Sequence, residues 1–164
     1  MDDALPGRQE LVDQLAGLVE TRLVDPLEIL LESVAELVAV RERVLVQAEV
    51  WAARLLGPDE VTARYTAIRL VSTLYPGDGG FAPPAGWWQT PLGRVLALRV
   101  GHPVAESVSY AVAGEMLGIT RQGVHDLITR GKLDRHPDKG VSTASVQRRI
   151  RSTLSQKKQG EVPR

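Results

Sequence analysis

SYAVAGEMLGITRQGVHDLITRGKL, residues 109–133, holds two short apolar-periodic runs separated by one glycine and one threonine cap. Ser109 is suited to cap a helix through Leu117, because its hydroxyl can accept from an amide that the first helical turn leaves unpaired. Gly118 supplies the backbone freedom for a sharp turn, and Thr120 can cap a second helix through about Arg130. Helix, tight turn and helix then fit within about twenty residues. Small side chains at Ala113 and Gly114 fall where the two helices would cross, and Leu117, Ile119, Val124, Leu127 and Ile128 form the expected shared core. The first turn of the second helix offers Arg121 and Gln122, whose side chains match guanine and adenine edges respectively. His125, Thr129 and Arg130 extend that candidate contact face.

These residues resemble the helix-turn-helix of the MerR-like and excisionase-like DNA-binding proteins of bacteria, their phages and plasmids. The resemblance covers about residues 107–154. It implies that the second helix enters the major groove, and that Gly131-Lys132-Leu133 leads into a two-stranded wing carrying Asp134, Arg135 and His136. Pro137-Asp138-Lys139-Gly140 would be the wing's turn and Val141 its return strand. A final helix, capped by Ser142 or Thr143 and bearing Val146, Ile150 and Leu154, would close the small core. The expected DNA contacts are therefore Thr120, Arg121, Gln122, His125, Thr129, Arg130, Lys132, Arg135, His136 and Lys139. Asp126 faces such a partner awkwardly; it could accept from cytosine or orient Arg130.

Charge around this stretch agrees with a polyanionic partner, although the whole chain has a net charge of zero. Residues 107–158 carry ten bases against four acids, whereas residues 1–60 carry thirteen acids against five arginines. The zero conceals a basic half and an acidic half. The acidic half reads as helical. An amphipathic helix is expected from about Arg8 to Val24, with Leu11, Leu15, Leu18 and Leu23 near one face. Asp25-Pro26-Leu27-Glu28 then combines a cap, a proline at the first helical position and a glutamate, which predicts a new helix from Pro26 to Leu56. Along it Leu30, Val34, Leu37, Arg41, Val44, Ala48, Trp51 and Leu55 alternate steps of four and three, a stripe broken only by Arg41. The stripe suits an intramolecular hairpin with the first helix, a homodimer seam, or both. Asp59 is expected to cap a further helix to Leu74 that buries Val61, Tyr65, Ile68 and Val71 or Ser72.

Pro76 to Gly80 breaks the chain, and the Pro/Gly/Ala loop to Gly86 is the natural seam. Trp87 and Trp88 follow; they are expected to pack the short helix that Thr90-Pro91 starts and Gly101 ends. The fold class is thus mainly α: a helical N-terminal region with a long helix able to dimerise as a coiled coil, plus a small winged helix-turn-helix. The expected domains are 1–75, acidic and dimerising; 76–106, connecting; 107–158, DNA-binding; and 159–164, a tail.

Several functions find no support in the residues. There are no cysteines, and His102, His125 and His136 lack metal-ligand spacing. No phosphate-binding loop, G-x-S-x-G or H-E-x-x-H occurs, and His125 and Asp126 point about 100° apart on a helix. No catalytic role or cofactor is expected. Acids and arginines interrupt the apolar run from Leu27 to Leu56, so no membrane span is expected, and the N-terminus does not read as a secretory signal. A cytoplasmic homodimer on double-stranded DNA, nucleoid-associated when bound, is the expected assembly, with transcriptional regulation as its role. A phage or plasmid architectural, partition or recombination factor would use the same docking chemistry. An assembly or adaptor protein acting through the long N-terminal helix is the alternative that needs no DNA.

Overall fold

The computed structural model describes residues 5–160. It is mainly helical, and the chain divides into two compact units, residues 6–78 and residues 79–160, with Leu5 belonging to the second.

In the first unit, α1 (Arg8–Val19) does not end at the expected cap. It continues through a π-helical turn, Glu20–Val24, into α2 (Asp25–Leu31). Pro26 has no N–H to give and its ring crowds the carbonyl four residues back. The wider turn absorbs it: the Asp25 amide donates to the Glu20 carbonyl, five residues earlier, and Asp25 itself is helical. The break falls instead at Glu32, which ends α2 in the left-handed region with φ at 51°. A short 3-10 turn, Ala35–Leu37, leads into α3 (Val38–Leu56). The single helix expected from Pro26 to Leu56 is therefore two helices. Gly57 turns the chain, and Asp59 caps α4 (Glu60–Leu74) as expected, accepting from the amides of Val61 and Thr62 at 3.0 and 3.1 Å. The Thr62 hydroxyl and these amides hold the Asp59 carboxyl below its ordinary pKa.

The stripe expected from Leu30 to Leu55 divides with the break. Leu37, Ala48 and Leu55 are buried and Val44 and Trp51 are half-buried against α1 and α4, whereas Leu30 and Val34 are exposed. This is hairpin packing within one chain. Arg41, the residue that interrupts the stripe, is half-buried and reaches Glu20 at 2.5 Å, Asp25 at 3.5 Å and Glu28. Those carboxylates stand along one side of the merged helix, and the hydrogen bonds that Arg41 donates to Glu20 and Glu28 push its pKa further up. The helix α4 buries Val71 as expected but otherwise turns a different face to the core. Ala63, Thr66, Ala67, Leu70, Val71 and Leu74 face the core, while Val61, Tyr65 and Ile68 are exposed. Small residues at 63 and 67 allow close approach to α3.

The second unit is built around α5 (Pro91–Arg99), capped by Thr90 and buried along nearly its whole length. Trp87 and Trp88 form a 3-10 turn ahead of it and are buried, packing edge-to-face with each other and with Phe81. A Cβ on Gly93 would lie 2.2 Å from the Trp87 carbonyl, so only glycine lets the turn sit on α5. Strand β1 (Ser107–Val108) precedes α6 (Tyr110–Leu117) and α7 (Arg121–Thr129); β2 (Val141–Ser142) precedes α8 (Thr143–Gly160). β1 and β2 pair antiparallel, Ser107 opposite Ser142 and Val108 opposite Val141, and Arg135 bridges to Val141 from the other side. The segment expected as a connector, residues 76–106, thus contributes the central helix to this unit. Beneath the α6–α7 turn a cavity of about 180 Å³ is lined by Leu5, Leu98, Met116, Leu127 and Ile150, among others.

Candidate nucleic-acid interface

The two helices of the quoted stretch form with the expected caps. Ser109 Oγ accepts from the Val112 amide at 3.2 Å and Thr120 Oγ1 from the Gly123 amide at 3.1 Å. Gly118 adopts φ 68°, and the Ile119 amide returns to the Gly114 carbonyl at 2.9 Å. A Cβ on Gly114 would lie 2.8 Å from the Ile119 carbonyl, so the turn closes only over a glycine. Val124 is buried and Leu117, Leu127 and Ile128 are half-buried, which anchors α7; Ile119 is exposed, outside the expected core.

With its apolar side fixed, α7 turns Arg121, Gln122, His125, Asp126, Thr129 and Arg130 to solvent. Gln122 Nε2 donates to Asp126 Oδ1 at 3.1 Å, so Asp126 holds Gln122 and not Arg130. The Thr129 hydroxyl donates back to the His125 carbonyl at 3.0 Å. After α7, Gly131 adopts φ 67° and the Lys132 amide bonds the Leu127 carbonyl at 2.8 Å, which reverses the chain and buries Leu133.

The reversed chain makes a turn over residues 134–140 where a two-stranded wing was expected; Arg135 makes a single bridge to Val141, which pairs as a strand with Val108 of β1 instead. The His136 amide meets the Gly140 carbonyl at 3.2 Å, and the Lys139 amide meets the His136 carbonyl at 3.1 Å. His136 Nδ1 accepts from the Asp138 amide at 3.2 Å, which places the ring's proton on Nε2 when the ring is neutral. Its side chain is mostly covered, with Glu106 and Asp138 carboxylates 3.9 and 3.8 Å away. Histidine here shapes the turn as much as it faces outward. Gly140 combines φ 88° with a Cβ position 2.5 Å from the Val108 carbonyl, so glycine is needed for this turn to lie on β1.

The start of α6, the start of α7 and the turn at residues 135–140 together line a groove of about 720 Å³. Arg121, Arg135, His136 and Lys139 meet there, from positions up to eighteen residues apart in sequence, with Ser109 and Tyr110 on the same wall. Gln122, His125, Thr129, Arg130 and Lys132 lie outside that lining, on the exposed face of α7 and the loop after it. Thr120 serves as a cap. Arg121, Arg135 and Lys139 have no carboxylate partner among the described residues, whereas Arg148 is paired with Asp134 at 2.5 Å. Three unpaired cations on one concave wall favour an anion from outside the chain. Sequence reasoning missed Ser109 and Tyr110 as lining residues. They reach the groove because β1 pairs with β2, and a two-residue strand leaves almost no periodic signal.

Among the described residues, no group of three or more histidine or acidic side chains could hold a metal ion, and no helix is long and apolar enough to cross a membrane. Comparison of the chain with protein-family models, with curated proteins and with solved structures finds no match.

Proposed function

We propose that this chain is a sequence-specific double-stranded DNA-binding protein, a transcriptional regulator whose second unit is a winged helix-turn-helix of the MerR-like and excisionase-like kind. The reading rests on one observation above others: the start of α7 and the wing turn bring Arg121, Arg135 and Lys139 into one groove without carboxylate partners. In this reading α7 enters the major groove, Arg121 and Gln122 reach base edges, and Arg135 and Lys139 hold phosphates. The first unit joins two copies, which suits palindromic half-sites. Its support is compositional: thirteen of the fifteen exposed large apolar side chains lie between Leu23 and Ile68. A regulator and a partition or recombination factor share this docking chemistry, and both are read as cytoplasmic.

The test is replacement of Arg121 or Gln122 with alanine. Both are exposed, so thermal stability should change by less than about 0.5 kcal/mol. Competition between cognate and scrambled duplexes at fixed salt should show a loss of about 1 to 3 kcal/mol at the cognate site. Non-specific affinity should fall much less. Variants that melt and discriminate like the parent would remove α7 as the reader. The same apolar surface on the first unit favours a second reading, an adaptor that binds another protein there. A gel-shift against fragmented genomic DNA separates the two, because the adaptor would shift nothing.

A further inference from the structure

The helix α4 carries apolar residues on two opposite faces. One is the core face already described; the other is a stripe of Val61, Tyr65 and Ile68 at steps of four and three, exposed by 79%, 66% and 42%. A soluble helix that is apolar on both sides is ordinarily covered on both. The stripe adjoins a groove of about 360 Å³ between α1, α3 and α4, whose walls include Leu23, Trp51, Leu70 and Tyr65. Arg54 and Arg69 also line that groove, and Arg64 stands beside the stripe. None of these three arginines has a carboxylate partner among the described residues, in a unit that otherwise carries more acids than bases.

One other surface of the same unit has the opposite character. Residues 25–37 hold four acids and no base. Ile29, Leu30, Leu31 and Val34 within it are exposed by 76%, 77%, 58% and 56%. Glu28 and Asp25 are engaged by Arg41 and the Ser33 hydroxyl meets Glu36, but Glu32 has no partner among the described residues. Pairing of the α4 stripe with its own copy would oppose Arg64 and Arg69 with themselves. Pairing it with residues 29–36 of another copy would bring arginines to glutamates and cover both apolar sets.

We propose that the outer face of α4 and its adjoining groove bind residues 29–36 of a second copy of this chain, reciprocally, so that a two-fold axis makes the contact twice. This rests on the proposed self-assembly of the first unit and names its two complementary surfaces. The charges select the partner surface and the register, and the apolar residues supply most of the affinity.

Reciprocal charge exchange tests it, with mass read by light scattering at tens of micromolar and folding by a melting curve. The wild-type chain should be a dimer. Arg64→Glu with Arg69→Glu should halve the apparent mass, and so should Glu32→Arg with Glu36→Arg. An equal mixture of the two variants should return to dimer mass, since each acidic face then meets a basic segment. Leu30→Asp, at a position that contributes nothing to the protomer core, should also be monomeric. If the charge variants or Leu30→Asp stay dimeric, the seam lies elsewhere and only this proposal falls. If the variants are folded monomers whose mixture stays monomeric, the pairing of surfaces is wrong. A monomeric wild type would overturn the proposal together with the self-assembly on which it rests.

Discussion

His102 shows how one side chain links local geometry to a measurable property. Its Nδ1 accepts from the amides of Val104 and Ala105 at 3.3 and 2.9 Å, closing the turn that delivers the chain from α5 to β1. An imidazole that accepts at Nδ1 must be neutral or lose those bonds. Partial burial beside the rings of Phe81 and Trp88 pushes its pKa below the ordinary 6.5. The folded value is depressed, so in acid the unfolded chain binds the proton first. The stabilising contribution is therefore complete above about pH 6.5 and is lost as pH falls through the lower folded value. Denaturant midpoints taken from pH 8 down to pH 5 should decline more steeply for the parent than for His102→Asn. Asparagine can accept the same amide bonds without titrating. Identical slopes for the two proteins would show that His102 does not carry this proton.

The turn at residues 135–140 places cations, and they test the electrostatic part of the proposed interface. Arg135 and Lys139 stand on either side of a turn held by Gly140, free of carboxylates and exposed. If each holds one phosphate, each contributes roughly 0.9 to the slope of log affinity against log salt. Arg135→Ala with Lys139→Ala should flatten that slope by about 1.8 and weaken cognate and scrambled duplexes alike. An unchanged slope would mean the wing is folded away from DNA. Elements with a polar cap, a glycine turn and one apolar face, such as α6, α7 and the loop through Gly131, were legible in the sequence. Where two local signals competed, the sequence misled. Asp25-Pro26 reads as a helix start, yet a π-helical turn absorbs the proline and the chain breaks at Glu32, which carries no breaking signal. On α4 both faces are apolar by pattern, and only the small residues Ala63 and Ala67 favour the one that packs inward. The strand β1 was invisible because its partner, β2, lies more than thirty residues away. The groove likewise needed the fold, since no spacing rule brings Arg121 beside Arg135, Lys139 and Tyr110.

At the scale of the molecule, charge and exposed apolar surface are divided between the two units. The first holds twelve acids and seven arginines between residues 6 and 78, and thirteen of the exposed large apolar side chains. The second holds the groove with the unpaired cations and few exposed apolar groups. The second unit also has its own buried helix α5, its own sheet and its own aromatic cluster. A fragment beginning at Gly79 should therefore fold by itself and melt cooperatively. If the first unit joins two copies, the fragment should still bind DNA, but as a monomer that sees one half-site. Linking two half-site contacts through one dimer raises affinity by about 10² to 10⁴ when the spacing lets both engage, without any new contact. The whole chain should then favour half-sites one helical turn apart, about 10 base pairs centre to centre, or a multiple of that. The fragment should be indifferent to spacing. Duplexes carrying paired half-sites at 8, 10, 13 and 20 base pairs, titrated with each protein at one salt concentration, separate these behaviours. A whole chain as indifferent to spacing as the fragment, or a fragment as tight as the whole chain, would mean that the first unit contributes nothing to DNA recognition. Its acidic, apolar surface would then belong to some other partner.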